Sequence, residues 1–165
     1  LDPAGTGGAV LNLYATLARH PTFFRPRAVQ SAYIRTGATL SDRAREILIL
    51  RIGWLCGSEY EWSQHVRVAR RIGMSEDELL DIAVGATASR WSRFEADLLR
   101  ATDELHQQDM VSDATWSALS SRYDTAQLID MVVTVAGYRM VSIALNSLGT
   151  QLEPGRPRFP DVNRE

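Results

Sequence analysis

LSDRAREILILRIGWLCGSEYEWSQHVRVARRIGMSEDEL, residues 40–79, carries the strongest structural signal in the chain. Ser41 precedes a run in which Ile47, Leu48, Ile49, Leu50, Ile52, Trp54 and Leu55 are apolar on almost every side, as in a helix buried all round. Gly57 breaks that helix. A second is predicted from about Glu59 to Ile72 before Gly73, and Ser75 with Glu78 form a capping box for a third. With so short a connection, the first two helices must lie side by side as an αα-hairpin.

Helical spacing continues outward from this hairpin. Downstream, Phe94, Leu98, Leu99, Ala101, Thr102 and Leu105 recur every three or four residues in a helix from about Ser92 to Gln108. Ser112 or Asp113 caps a shorter helix to Arg122. Asp124 and Gln127 form a second capping box for a last, strongly apolar helix that stops at Gly149. That helix is too apolar for the outer wall of a monomer, so it reads as central or as a subunit interface. Upstream, Val10 to Arg19 and about Pro26 to Arg35 read as two short helices forming an arm packed on the rest. No alternation suggests strands, so the class is all-α. The expected organisation is one domain over 1–152 and an extended Pro-rich tail over 153–165.

Composition narrows the functional classes. At 165 residues with 45% hydrophobic and 23% charged residues and a net charge of −2, the chain has the balance of an ordinary soluble domain, with no positive excess for nucleic acid. All 18 basic residues are arginine, which removes side-chain lysine Schiff-base chemistry. The single cysteine, Cys56, leaves no intrachain dithiol and fits a reducing, cytoplasmic setting. The opening LDPAGTGGAV lacks a signal-peptide pattern, and no stretch reads as approaching the roughly 20 apolar residues of a spanning helix, so no membrane is expected.

The polar residues interrupting the hairpin carry the chemistry. Glu46 and Arg51 fall inside the apolar helix, and Glu61 and His65 lie four residues apart on one face of the next. Burying such groups costs several kcal/mol, roughly, unless they pair, and paired ionisable groups shift one another's pKa as acid–base chemistry requires.

With ADLLRATDELHQQDMVSDATWSAL (96–119) and LIDMVVTVAGYRMVSIALNSLG (128–149), residues 40–79 resemble the carboxymuconolactone decarboxylase family of the alkylhydroperoxidase D-like (AhpD-like) superfamily. The resemblance implies an all-α bundle around a central αα-hairpin, assembled as a homo-oligomeric trimer or hexamer. The superfamily's peroxidases carry a glutamate, eleven residues, a Cys-x-x-Cys pair, three residues and a histidine. Laid on this chain, the glutamate is Glu46 and the histidine His65, while Ser58 and Glu61 stand at the cysteine positions. Cys56 is two residues early and has no resolving partner, so dithiol peroxide reduction is not expected.

The resemblance therefore implies a cofactor-independent lyase or isomerase that acts on a small carboxylated or carbonyl-containing molecule. In that reading His65 is the acid–base group, Glu46 orients it and Glu61 is a second acid–base group. The alternative is a non-catalytic small-molecule-binding or assembly protein on the same scaffold. Each residue also has a plainer use. His65 reads equally as a buried histidine satisfied by Glu46, and Glu61 as a surface residue in a helical ion pair. Arg51 would bind a substrate carboxylate or form an ion pair. Trp54, Tyr60, Trp62 and Trp91 would wall an apolar pocket or simply pack in the core, and Tyr138 would supply a phenol. Cys56 reads as a small hydrophobe and His106 as a helix-end cation. A metal on Glu46, Glu61 and His65 would lack a second histidine, so none is expected.

Overall fold

In the computed structural model, which describes residues 10–161, every regular element is a helix. The two helices of the hairpin are α3 (Asp42–Leu55) and α4 (Glu59–Arg71). Ser41 caps α3 by accepting from the Ala44 amide at 3.2 Å. Ile47 through Leu50 and Ile52 are fully buried, because α3 is covered by α4 on one side and by α5 (Glu76–Val84), α6 (Arg93–Gln108) and α8 (Thr125–Ser147) on the others. A helix apolar all round has become the axis of the bundle. Gly57, at φ 62°, makes the left-handed turn that reverses the chain into α4.

The capping boxes at Ser75/Glu78 and Asp124/Gln127 both form, and a third, Ser92 with Glu95, opens α6. The short α7 (Asp113–Ser120) is capped by Ser112, whose side chain accepts from the Thr115 amide.

The N-terminal arm departs from the pattern expected of it. Helix α1 spans only Asn12–Leu17, whereas α2 spans Pro21–Thr36, starting five residues before Pro26. Pro21 does end α1, but it also occupies the first turn of α2, where a fixed φ and a missing N–H suit a helix start. Pro26 stays inside α2 on an exposed face, where the lost hydrogen bond is tolerated. Asp130 of α8 fastens this arm, accepting from the Tyr33 hydroxyl at 2.7 Å and from the Thr39 amide at 2.7 Å. A Cβ at Gly137 would lie 3.2 Å from Ile34 Cδ1, so α2 approaches α8 closely there.

One expectation is corrected. Helix α8 is in fact long and apolar enough, by length and composition, to cross a membrane; 56% of its most apolar stretch is buried inside this fold. The tail folds back on α3 and α4 of its own chain. Phe159 packs on Trp54 and Trp62 with ring centroids 5.1 and 5.5 Å away, and Arg158 pairs with Glu59 at 3.1 Å. Residues 1–9, which include nearly all of the Gly-rich opening, and residues 162–165 of the tail lie outside the described residues.

Candidate active site

Glu46 projects from α3 toward α4 and meets His65, whose Nδ1–H donates to Glu46 Oε2 at 2.7 Å. On the other edge of the imidazole, Nε2 lies 3.7 Å from Glu61 Oε2, one helical turn earlier. All three side chains are buried, at 2, 8 and 4% exposure for Glu46, His65 and Glu61. Glu61 is therefore not a solvated helix residue. Behind the set, Arg45 Nε stands 3.6 Å from Glu46 Oε1. In front, the Tyr138 ring from α8 meets the imidazole edge to face, with centroids 4.9 Å apart at 88°.

The environment sets the protonation of this group. Burial works against a charged imidazole, but the Glu46 carboxylate, through its charge and its hydrogen bond, outweighs it with help from Glu61, and His65 lies above its ordinary 6.5. Burial likewise lifts the Glu61 carboxyl above the usual carboxylate range, against the opposing charges of His65 and Arg27. Burial and the two glutamates raise the Tyr138 phenol well above its normal value, so it stays protonated. Two adjoining groups that both favour their protonated forms are suited to giving a proton to a bound molecule.

That molecule would sit in a cavity of about 130 Å³ between the arm and the bundle. Leu11, Leu13, Tyr14 and Leu17 of the first arm segment and Phe24, Arg27, Ala28, Ser31 and Arg35 of α2 form one wall. Glu61, Gln64, His65, Arg67, Val68 and Arg71 of α4 form the other, with Tyr138 and Val141 of α8 completing it. Glu46 lies behind His65 and does not line the cavity, which is the arrangement of a residue that orients the imidazole.

The remaining candidates are elsewhere. Arg51 is consumed by the fold: Nε and Nη2 donate to the two Asp103 oxygens at 2.6 and 3.1 Å, and Nη1 donates to the Ile82 and Ala83 carbonyls at 2.7 and 2.8 Å. It ties α3 to α6 and caps α5, with all three guanidinium nitrogens and four of the five N–H donors engaged inside the fold. Gly85, at φ 91°, is required beside it, since a Cβ there would fall 2.5 Å from Arg51 Nη2. Ser58 is fully buried at the start of α4 and away from the cavity. Tyr60 faces the two chain ends, taking the Leu13 amide at 3.0 Å on its hydroxyl and donating to Glu153 Oε1 at 2.7 Å. Trp62 and Trp54 meet at a tilt of 57° with centroids 5.6 Å apart, both against Phe159, and Trp91 packs in the core; none of the three lines the cavity. Cys56 Sγ lies 3.9 Å from His106 Nδ1 with its pKa raised by burial, so it is not poised as a thiolate.

Glu46 and Glu61 flank opposite edges of one imidazole and do not converge on a point. Among the described residues no three His, Cys, Asp or Glu side chains are grouped to hold a metal ion.

Arg27 and Arg35 were missed by the sequence reading. The available signal was their place in the series Phe24, Arg27, Ala28, Ser31, Arg35, a cavity-facing stripe of α2 in which charge interrupts small and apolar residues much as Glu46 interrupts α3.

Comparisons with known proteins agree with this architecture. Residues 25–104 match the model of the carboxymuconolactone decarboxylase family. A protein of unknown function from Agrobacterium tumefaciens superposes with a TM-score of 0.77 at 16% identity, over 83% of this chain and 94% of its own. An uncharacterised peroxidase-related protein from Ralstonia eutropha with an alkylhydroperoxidase AhpD core gives 0.79 at 17% identity, over 89% and 79%. The debrominase Bmp8, in complex with 2,3,4-tribromopyrrole, gives 0.72 at 12% identity, over 89% and 79%. At such identities the likeness is one of fold. A search of curated proteins returns no match.

Proposed function

Residues 25–104 of this chain match the carboxymuconolactone decarboxylase family and its fold is AhpD-like, and from that premise we propose that it is a cofactor-independent lyase or isomerase working by proton transfer from His65. The observation that carries the reading is the Glu46–His65–Glu61 row, with one imidazole edge fixed by a carboxylate at 2.7 Å and the other beside a cavity-lining acid. Glu46 holds the tautomer and favours the imidazolium, leaving Nε2–H as the deliverable proton.

In the decarboxylation version, the bond from the substrate to its carboxylate breaks and carbon dioxide leaves. The electron pair stays on the adjacent carbon, delocalised as an enolate into a neighbouring carbonyl. His65 Nε2 gives its proton to that carbon and is reprotonated from water. Protonated Glu61 donates a hydrogen bond to the enolate oxygen. An isomerisation uses the same groups, removing and returning a proton without loss of carbon dioxide. The substrate class is a small carboxylated or carbonyl-containing molecule. Peroxide reduction by a dithiol is not part of this reading, because the chain has one cysteine.

The test is a panel of small lactone and β-keto acids incubated with wild type and with His65→Asn, products being followed by mass spectrometry. A product formed by wild type and lost by at least about a hundredfold in the variant is expected, in line with removal of a general acid. Equal turnover in the two proteins, or no product from any panel member, overturns the reading.

We also propose that the protein is a homo-oligomer, a trimer or hexamer, joined through the outer face of α8. Ile129 and Ile143 there are 56 and 55% exposed beside Met140. Light scattering should give several times the 18.4 kDa chain mass, and Ile143→Asp should lower it; a wild-type monomer refutes the assignment.

A further inference from the structure

We propose that Arg27 is the anion-recognising residue of the cavity, so that the site selects small organic monoanions, one carboxylate on an apolar body, over neutral molecules of the same shape. This rests on the cavity assigned above, whose ligand class it names, but it requires no particular reaction.

Arg27 is 8% exposed and takes no hydrogen-bond partner among the described residues; its Nε and Nη1 are sealed from solvent. A buried guanidinium with idle donors costs free energy unless something else uses it. Burial alone does not explain the idleness. Arg51, at 7% exposure, has its donors engaged by a carboxylate and two carbonyls. Arg27 instead borders the space that holds His65 and Glu61.

Charge balance points the same way. Arg27, Arg35, Arg67 and Arg71 line the cavity against one carboxylate, Glu61. Burial lifts the Glu61 carboxyl above the usual range, so it is an incomplete counter-charge for Arg27. Passing a proton between Glu61 and His65 leaves the sum unchanged, so the positive excess persists whichever of them holds it. A monoanion offsets that excess, and a planar carboxylate matches the guanidinium fork. The remaining wall, including Leu13, Leu17, Phe24, Val68 and Val141, offers an apolar body only van der Waals contact. At about 130 Å³ the space is close to the roughly 150 Å³ of an apolar cavity known to admit benzene.

The experiment titrates benzoate and its neutral isostere benzamide into the full chain, with occupancy read from the His65 ring protons by NMR. Wild type should bind benzoate at least tenfold more tightly than benzamide. In Arg27→Met that ratio should collapse to within about twofold while benzamide binding persists. Measured at a pH high enough to ionise Glu61, Glu61→Gln removes the competing counter-charge and should tighten benzoate several-fold. A wild type that fails to bind benzoate or to prefer it, or an Arg27→Met protein that keeps the tenfold preference, overturns the proposal. If Arg27→Met does not fold, Glu61→Gln decides alone: unchanged or weaker benzoate binding is then the refuting result. Neither readout involves turnover. Benzoate selected through Arg27 alongside unimpaired turnover in His65→Asn would refute the acid–base reading and leave this one standing.

Discussion

Arg51 and Arg27 are buried to nearly the same depth, 7 and 8% exposed, and otherwise have little in common. Around Arg51 the fold supplies a bidentate carboxylate from α6 and two terminal carbonyls of α5, and Gly85 gives way to make room. Around Arg27 it supplies an apolar wall and an imperfect counter-charge that makes no hydrogen bond to it. A buried charge whose hydrogen bonds are complete is architecture. One left incomplete beside a cavity is available to a ligand, and sequence position alone does not separate the two cases.

The sharpest way to break the contrast is to remove each guanidinium. Arg51→Met should lower unfolding free energy by about 3 kcal/mol, because it strands Asp103 and uncaps α5, while Arg27→Met should stay within about 1 kcal/mol of wild type. Urea midpoints at fixed pH measure both, and equal losses would erase the distinction. Next in size is Glu46→Gln, which removes the largest influence raising His65 while leaving it buried. The imidazole pKa should then fall below that of wild type in an NMR titration; an unmoved titration would mean Glu46 does not control it.

A third test uses pH itself. His65 is raised above 6.5 in the folded state, so its stabilisation is complete below about 6.5 and is lost as pH climbs through the raised value. Urea midpoints should decline across that window, and His65→Asn should flatten the decline. The smallest effect belongs to Tyr60→Phe, which deletes the hydroxyl between Leu13 and Glu153 and should cost about 1 kcal/mol. Faster hydrogen exchange in α1 is its signature, with α3 unaffected.

The hairpin was legible because its signals are local. A helix apolar on all sides, a glycine break and Ser–x–x–Glu boxes each act within a few residues, and α3, α4 and α5 formed where those signals put them. Glu46 and His65 were legible because a charged residue in an apolar run needs a partner, and because the family pattern that this chain resembles keeps a glutamate and a histidine at these two positions. What was not legible depends on distance along the chain. Arg27 reaches the site from a helix that packs on α8 and faces α4 across the cavity only in three dimensions, and in a chain with 18 arginines and no lysine a further arginine draws no notice. Arg51 read as a substrate anchor or as one half of an ion pair, and the sequence did not choose between them because its partner, Asp103, lies 52 residues away on α6. The aromatic residues of α4 stayed open between pocket and core for a related reason: Trp62 and Tyr60 serve the returning tail, and nothing within the hairpin announces Phe159 or Glu153.

That returning tail bears on when the cavity comes into being. Glu153 accepts from the Asn12 amide at 2.9 Å, from Tyr60 at 2.7 Å and from Gln64 at 2.8 Å, a junction spanning 141 positions between its outermost members. The ribosome delivers Asn12 among the first of these residues and Glu153 last. The bundle around α3 has all its helices by Ser147, but the clasp on the arm waits for six more residues. The wall that closes over His65 is thus secured only after every helix of the bundle has been made, and a nascent chain stalled before Glu153 would carry its acid–base residues in a pocket whose near side is still unfastened.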